Sequence, residues 1–182
     1  VHDFDAIRAD LGIPHGKDIL HWLEALPAHA AKPLHRRLDE IEEELADAVQ
    51  PAPGAVDLLH TLHAQGYRLG ILTRNLRSIA WRCLATLGVA DFFHPESIVG
   101  RGDAKPKPDP DGVLKLLELW GASASDALIV GDYHYDLLAG RAAGIATIHV
   151  DRSAGYAWPE SSDVCVESLQ AVDREIRTLS SS

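Results

Sequence analysis

The run ALIVGDYHYD (127–136) sets two carboxylates four residues apart behind an apolar stretch that reads as a buried strand. Gly131 lets the backbone turn tightly after the strand. Asp132 then projects from the strand end and Asp136 stands at the start of the next helix, so both can face one point. Two carboxylates, waters and a substrate phosphate are the usual surroundings of Mg²⁺. A second apolar run, YRLGILT (67–73), ends in Thr73 and is followed by Arg74 and Asn75. A strand-end hydroxyl can donate to a phosphate oxygen, with backbone amides of the next helix assisting. Between these runs lies DAKPKPDPDG (103–112). Its prolines at 106, 108 and 110 keep the segment extended. Lys105 or Lys107 could hold an ammonium group there, where it would balance the charge of a transferring phosphoryl group. Singly, each has a plainer reading: helix caps for the Thr and Asp residues, solvated lysines on a Pro-rich loop.

The elements that must position these residues follow from the apolar pattern. Residues 18–50 are helical: Ile19, Leu20, Leu23 and Leu26 recur at helical spacing, and a second run starting at Pro33 carries Leu34, Leu38, Ile41 and Leu45 on one stripe. The acidic run DEIEEE (39–44) reads as its solvated face. QPAPG (50–54) marks a boundary. Beyond it helices are expected at 55–65, 77–87, 111–120 and 135–143, each followed by a glycine suited to ending a helix. Strands are expected at 67–73, 97–100, 127–132, 146–151 and 163–168. Alternating apolar strands and helices specify an α/β architecture: a doubly wound parallel sheet covered on both faces, with a small helical segment in front. In such sheets ligands sit beyond the carboxyl ends of the strands, where Thr73 and Asp132 fall.

The 182 residues carry a net charge of −10. That balance disfavours non-specific nucleic-acid and membrane-surface binding, which needs Lys and Arg, yet leaves room for a small phosphorylated metabolite met by one local lysine and one metal ion. Cys83 and Cys165 lack metal-type spacing and read as reduced thiols of a cytoplasmic protein. No run reaches the roughly 18 apolar residues of a membrane span. The four tryptophans, Trp22, Trp81, Trp120 and Trp158, are expected to pack against the core. Nothing bears on oligomeric state.

In chain order the pattern is a strand-end Thr, a Lys in a KPxP frame, and GDxxxD. It resembles the haloacid dehalogenase superfamily of phosphotransfer hydrolases, strongly over residues 50–151 and by position and size over 1–50. The resemblance implies that Thr73 binds a phosphate oxygen, that the motif lysine is Lys107, with Lys105 as the alternative, and that Asp132 and Asp136 serve Mg²⁺. Arg74 and Asn75 are further pocket candidates. It implies a core over residues 51–182 and a small cap over 1–50, short as in the phosphoglycolate phosphatase branch. Lys17, His21, Arg36 and Arg37 are candidate cap contacts. The activity implied is a Mg²⁺-dependent phosphatase that hydrolyses a small phosphate monoester through an aspartyl-phosphate. A dehalogenase or phosphomutase of the same fold, or a non-catalytic binding protein, are the rivals.

The family's nucleophile sits in DxDGT at the end of a first strand. The opening HDFDAI differs: only Val1 and His2 precede Asp3, and AI stands where GT would be. DFDAIRADLG reads as a helix, with Asp3 as its cap and Phe4, Ile7 and Leu11 on one face. The chain starts at Val1 and holds no Met, so a processed or trimmed N-terminus is expected. The nucleophile-bearing strand is expected upstream of residue 1.

Overall fold

The computed structural model describes residues 4–179, which leaves the expected Asp3 cap outside the described residues. The chain divides into two compact units, Val1–Gln50 and Pro51–Ser182.

The first unit is three helices, α1 (Phe4–Leu11), α2 (Ile19–Glu24) and α3 (Ala28–Asp47). Asp18 caps α2 by accepting the His21 amide at 2.9 Å. Ile7, Leu11, Ile13, Leu23, Leu38 and Ile41 form the core, with Trp22, Leu26, Leu34 and Leu45 against it. Arg37 ties α3 to α1 through Asp10 at 2.8 Å. Two expectations need correction. The long helix begins at Ala28, not at Pro33, which lies inside it. An interior proline costs about 3 kcal/mol, and the apolar stripe that runs unbroken from Ala31 to Leu45 offsets it. The acidic run is not wholly solvated either: Glu42 is buried, whereas Glu40, Glu43 and Glu44 are exposed.

The second unit alternates α4 (Ala55–Ala64), β1 (Leu69–Leu72), α5 (Arg77–Thr86), β2 (Phe93–Val99), α6 (Asp111–Trp120), β3 (Leu128–Gly131), α7 (His134–Ala143), β4 (Ala146–Val150), β5 (Val164–Val166) and α8 (Leu169–Leu179). Every strand pairing is parallel. No helix is expected from the sequence after residue 168. α8 is there, because Leu169, Val172, Ile176 and Leu179 share one stripe against β4 and β5. The side chains alternate along β3. Leu128 and Val130 join Leu69, Ile148, Val150, Val172 and Ile176 on one face. Ile129 joins Leu72, Val113, Leu117 and Ala139 on the other. Helices thus cover both faces, as a parallel sheet requires.

The strands form two sheets, β1–β2 and β3–β4–β5. Leu69 of β1 and Leu128 and Val130 of β3 pack on the same cluster, yet neither strand hydrogen-bonds to the other. All four residues of each are only half-buried, whereas Ile98 and Val99 of β2 and Thr147 to Val150 of β4 are buried. The strands nearest the middle of a covered sheet are ordinarily its most buried. Here they present facing edges without a strand partner among the described residues.

Candidate functional site

Thr73 follows β1 directly, and its amide continues the ladder by donating to Val99 O at 3.0 Å. Its Oγ1 accepts the Asn75 amide at 3.1 Å, which closes a short turn and leaves the hydroxyl proton to donate outward. Gly100 packs against this turn so closely that a Cβ would stand 2.4 Å from the Arg77 amide nitrogen and 2.9 Å from Asn75 O. Only a glycine lets the loop after β2 buttress the Thr73 loop in this way.

Lys107 reaches across to the end of β1. Its Nζ donates to Leu72 O at 2.9 Å and pairs with Asp136 Oδ1. The lysine side chain is 12% exposed and the carboxylate 14%. A pair so enclosed is screened far less than a surface one. Lys105 points elsewhere: its side chain is 73% exposed and lies 3.6 Å from Asp109. Of the two candidate lysines, Lys107 alone joins the Thr73 and Asp136 elements.

The segment carrying Lys107 is held by carboxylates the sequence reading did not single out. Asp111, in the first turn of α6, accepts the Lys105 amide at 2.9 Å and faces Lys115 at 3.1 Å. The Lys105 amide, then Lys115, hold its carboxyl below the usual range. Asp103 accepts the Gly100 amide and Arg77 Nε, each at 2.9 Å. Burial pushes its carboxyl up, and those hydrogen bonds outweigh burial, so it too is held low. A carboxyl held low in the folded state stabilises above its unfolded pKa of about 3.9, and that stabilisation is lost as pH falls through the folded value. The thermal midpoint of the protein is therefore expected to fall more steeply between pH 4 and pH 2 than that of Asp111→Asn. Parallel profiles would remove Asp111 from this role.

Asp132 stands exposed immediately after β3, and its carboxylate carries no hydrogen bond among the described residues. Gly131 is required beneath it: a Cβ there would lie 2.3 Å from Asp136 Cβ and 2.8 Å from its carboxyl carbon. The two carboxylates thus differ. That of Asp136 is neutralised by Lys107, and that of Asp132 is free toward solvent. Mg²⁺ keeps several waters and takes few protein carboxylates, and an unpaired Asp132 with Asp136 behind it fits such an ion. Among the described residues no group of three or more His, Cys, Asp or Glu is placed to hold a metal ion by itself.

Arg74 lies with its guanidinium 5.6 Å from the Tyr135 ring centre. Among the candidate cap contacts, Arg37 is engaged with Asp10, Glu40 and Glu44, and Lys17 gives its carbonyl to Arg8. Trp22, Trp81 and Trp120 pack on core residues. Trp158 instead stacks on His134 at 5.1 Å, beside the GDYHYD loop.

Helices flank parallel strands, and Thr73, Asp132 and the Lys107–Asp136 pair gather beyond the carboxyl ends of β1 and β3 in an α/β architecture. The model of the haloacid dehalogenase-like hydrolases matches residues 13–150, and the chain belongs to that family. An uncharacterized hydrolase of Saccharomyces cerevisiae is 29% identical over 182 residues, 97% of this chain and 84% of that protein. A pyrophosphatase of Halalkalibacterium halodurans is 36% identical over 110 residues, 60% of this chain and 48% of that protein, so the match spans about half of that relative. The solved structure of a hydrolase from Pseudomonas syringae superposes with a TM-score of 0.71 at 26% identity, covering 85% of this chain and 73% of that one. Among the described residues no helix is long and apolar enough to cross a membrane.

Proposed function

We propose that this chain is the main part of a Mg²⁺-dependent phosphatase that hydrolyses a small phosphate monoester in the cytoplasm. The observation that carries the reading is the enclosed Lys107–Asp136 pair, which links the ends of β1 and β3 beside Thr73 and the free Asp132. Thr73 donates its hydroxyl proton to a phosphate oxygen, and Arg74 and Asn75 line the pocket beside it. Lys107 holds a positive charge where phosphoryl and nucleophile charge accumulate. Mg²⁺, held by Asp132 and supported by Asp136, would neutralise charge on the phosphoryl oxygens.

The nucleophile is an aspartate on a strand that pairs between β1 and β3. The half-buried, unpartnered facing edges of those strands support this. Its carboxylate oxygen bonds to phosphorus as the P–O ester bond breaks, and the departing oxygen takes a proton from solvent to leave as the alcohol. Water then cleaves the aspartyl-phosphate, releasing inorganic phosphate and restoring the carboxylate. Residues 1–50 are proposed as the cap segment that selects substrate.

The test is phosphate release by the protein carrying that strand, after chelation and again after restoring Mg²⁺. The panel holds small monoesters together with pyrophosphate, which the Halalkalibacterium relative's name suggests. Release that returns with Mg²⁺ is expected. No release from any compound would leave the non-catalytic reading in its place.

A further inference from the structure

A phosphate site holds a substrate by one end, and the surface beside it discriminates the rest. Tyr133 directly follows Asp132 and is 52% exposed, more than Leu114, Leu119 or Tyr67. Its ring is nonetheless held in place. It meets Tyr135 edge-to-face at 5.2 Å and 90°, and Trp158 at 5.5 Å and 73°. Trp158 is itself gripped: it stacks on His134 at 3° and touches the buried His149 at 5.3 Å. His134 Nε2 lies 3.1 Å from Ser161 Oγ, which fixes the stack at its base. On the other side the Arg74 guanidinium lies over Tyr135.

Arg74, Tyr135, Tyr133 and Trp158 thus form one row, from the end of β1 to the loop after β4, passing Asp132. Edge-to-face neighbours fix a ring while leaving a large part of its surface uncovered. A ring already fixed loses little freedom when a ligand stacks on it. Among the described residues nothing covers the exposed part of Tyr133, and a residue placed only to fill the core would be buried.

We propose that Tyr133 is a specificity-determining surface for a phosphate monoester whose alcohol carries a planar ring, such as a nucleoside monophosphate. The phosphate lies at Thr73 and Lys107, and the ring stacks on Tyr133. This rests on the reading of Thr73 and Lys107 as a phosphate site. Stacking of a base on an aromatic side chain is sequence-tolerant because every base has a π-face, so the identity of the base is secondary to its flatness.

The experiment is calorimetric titration of the protein carrying the nucleophile-bearing strand, after chelation so that neither ester is hydrolysed during the titration, against inorganic phosphate, ribose 5-phosphate and adenosine 5′-monophosphate. The nucleotide is expected to bind about tenfold tighter than ribose 5-phosphate. Tyr133→Ala should bring that ratio to about one with ribose 5-phosphate affinity unchanged, and Tyr133→Phe should keep it. Circular dichroism checks that both variants are folded. If phosphate binds but the nucleotide holds no advantage, or if Tyr133→Ala retains the advantage, the stacking proposal is overturned and the phosphate site stands. If none of the three binds, the phosphate-site reading falls and takes the proposal with it.

Discussion

Replacing Lys107 with alanine is expected to lower phosphate-ester turnover by about 10²- to 10³-fold, the usual cost of losing one preorganised charge-stabilising group. The same change should destabilise the fold by about 1–3 kcal/mol, because Asp136 is left as a largely enclosed carboxylate without its cation. The Leu72 carbonyl loses a donor at the same time. The two effects separate by a mutant cycle. Lys107→Ala with Asp136→Asn should recover much of the lost stability, since no buried charge then stands alone, while turnover stays low. Lys107→Arg should not rescue turnover. A planar guanidinium cannot occupy the place of a compact ammonium that bonds Leu72 O and Asp136 together. Urea midpoints and turnover numbers of the unaltered protein, Lys107→Ala, Asp136→Asn, the double variant and Lys107→Arg decide the matter. If Lys107→Ala leaves both unchanged, the lysine has no part in the site, and the exposed Lys105 would have to be considered in its place.

The ease of reading this chain followed the physics of each element. The strands β1, β3 and β4 were legible because double coverage makes a parallel strand apolar throughout, and the helices α4 to α7 because a glycine follows each of them. That Thr73 and Asp132 directly follow strands was legible because each closes an apolar run. Three features were not legible. Pro33 inside α3 goes against local propensity and survives only through the stripe that packs on Ile7 and Leu23. The choice between Lys105 and Lys107 depends on which ammonium meets Leu72 O, a contact 35 residues away in the chain. The row from Arg74 to Trp158 joins residues from three separate loops. Tyrosines within a carboxylate motif announce nothing about each other's orientation until Trp158 is brought beside them.

Asp132→Asn is expected to abolish Mg²⁺-dependent turnover while leaving the fold as stable as before. The stability half follows from exposure: the carboxylate makes no hydrogen bond among the described residues, so its neutral isostere removes nothing that holds the chain together. The functional half follows from charge. Asp136 is already balanced by Lys107, so among the described residues at these strand ends Asp132 supplies the uncompensated negative charge. An amide oxygen in its place is a far weaker partner for a hard divalent cation. A readout independent of turnover is available. A ligand that binds only the folded state raises the unfolding midpoint with concentration. Mg²⁺ should therefore raise the melting temperature of the unaltered protein, and should fail to raise that of Asp132→Asn at the same concentrations. Asp136→Asn should behave differently. It frees Lys107 beside Asp132, lowers stability even without metal, and weakens rather than removes the Mg²⁺ response. A full Mg²⁺ shift in Asp132→Asn would move the metal away from the end of β3.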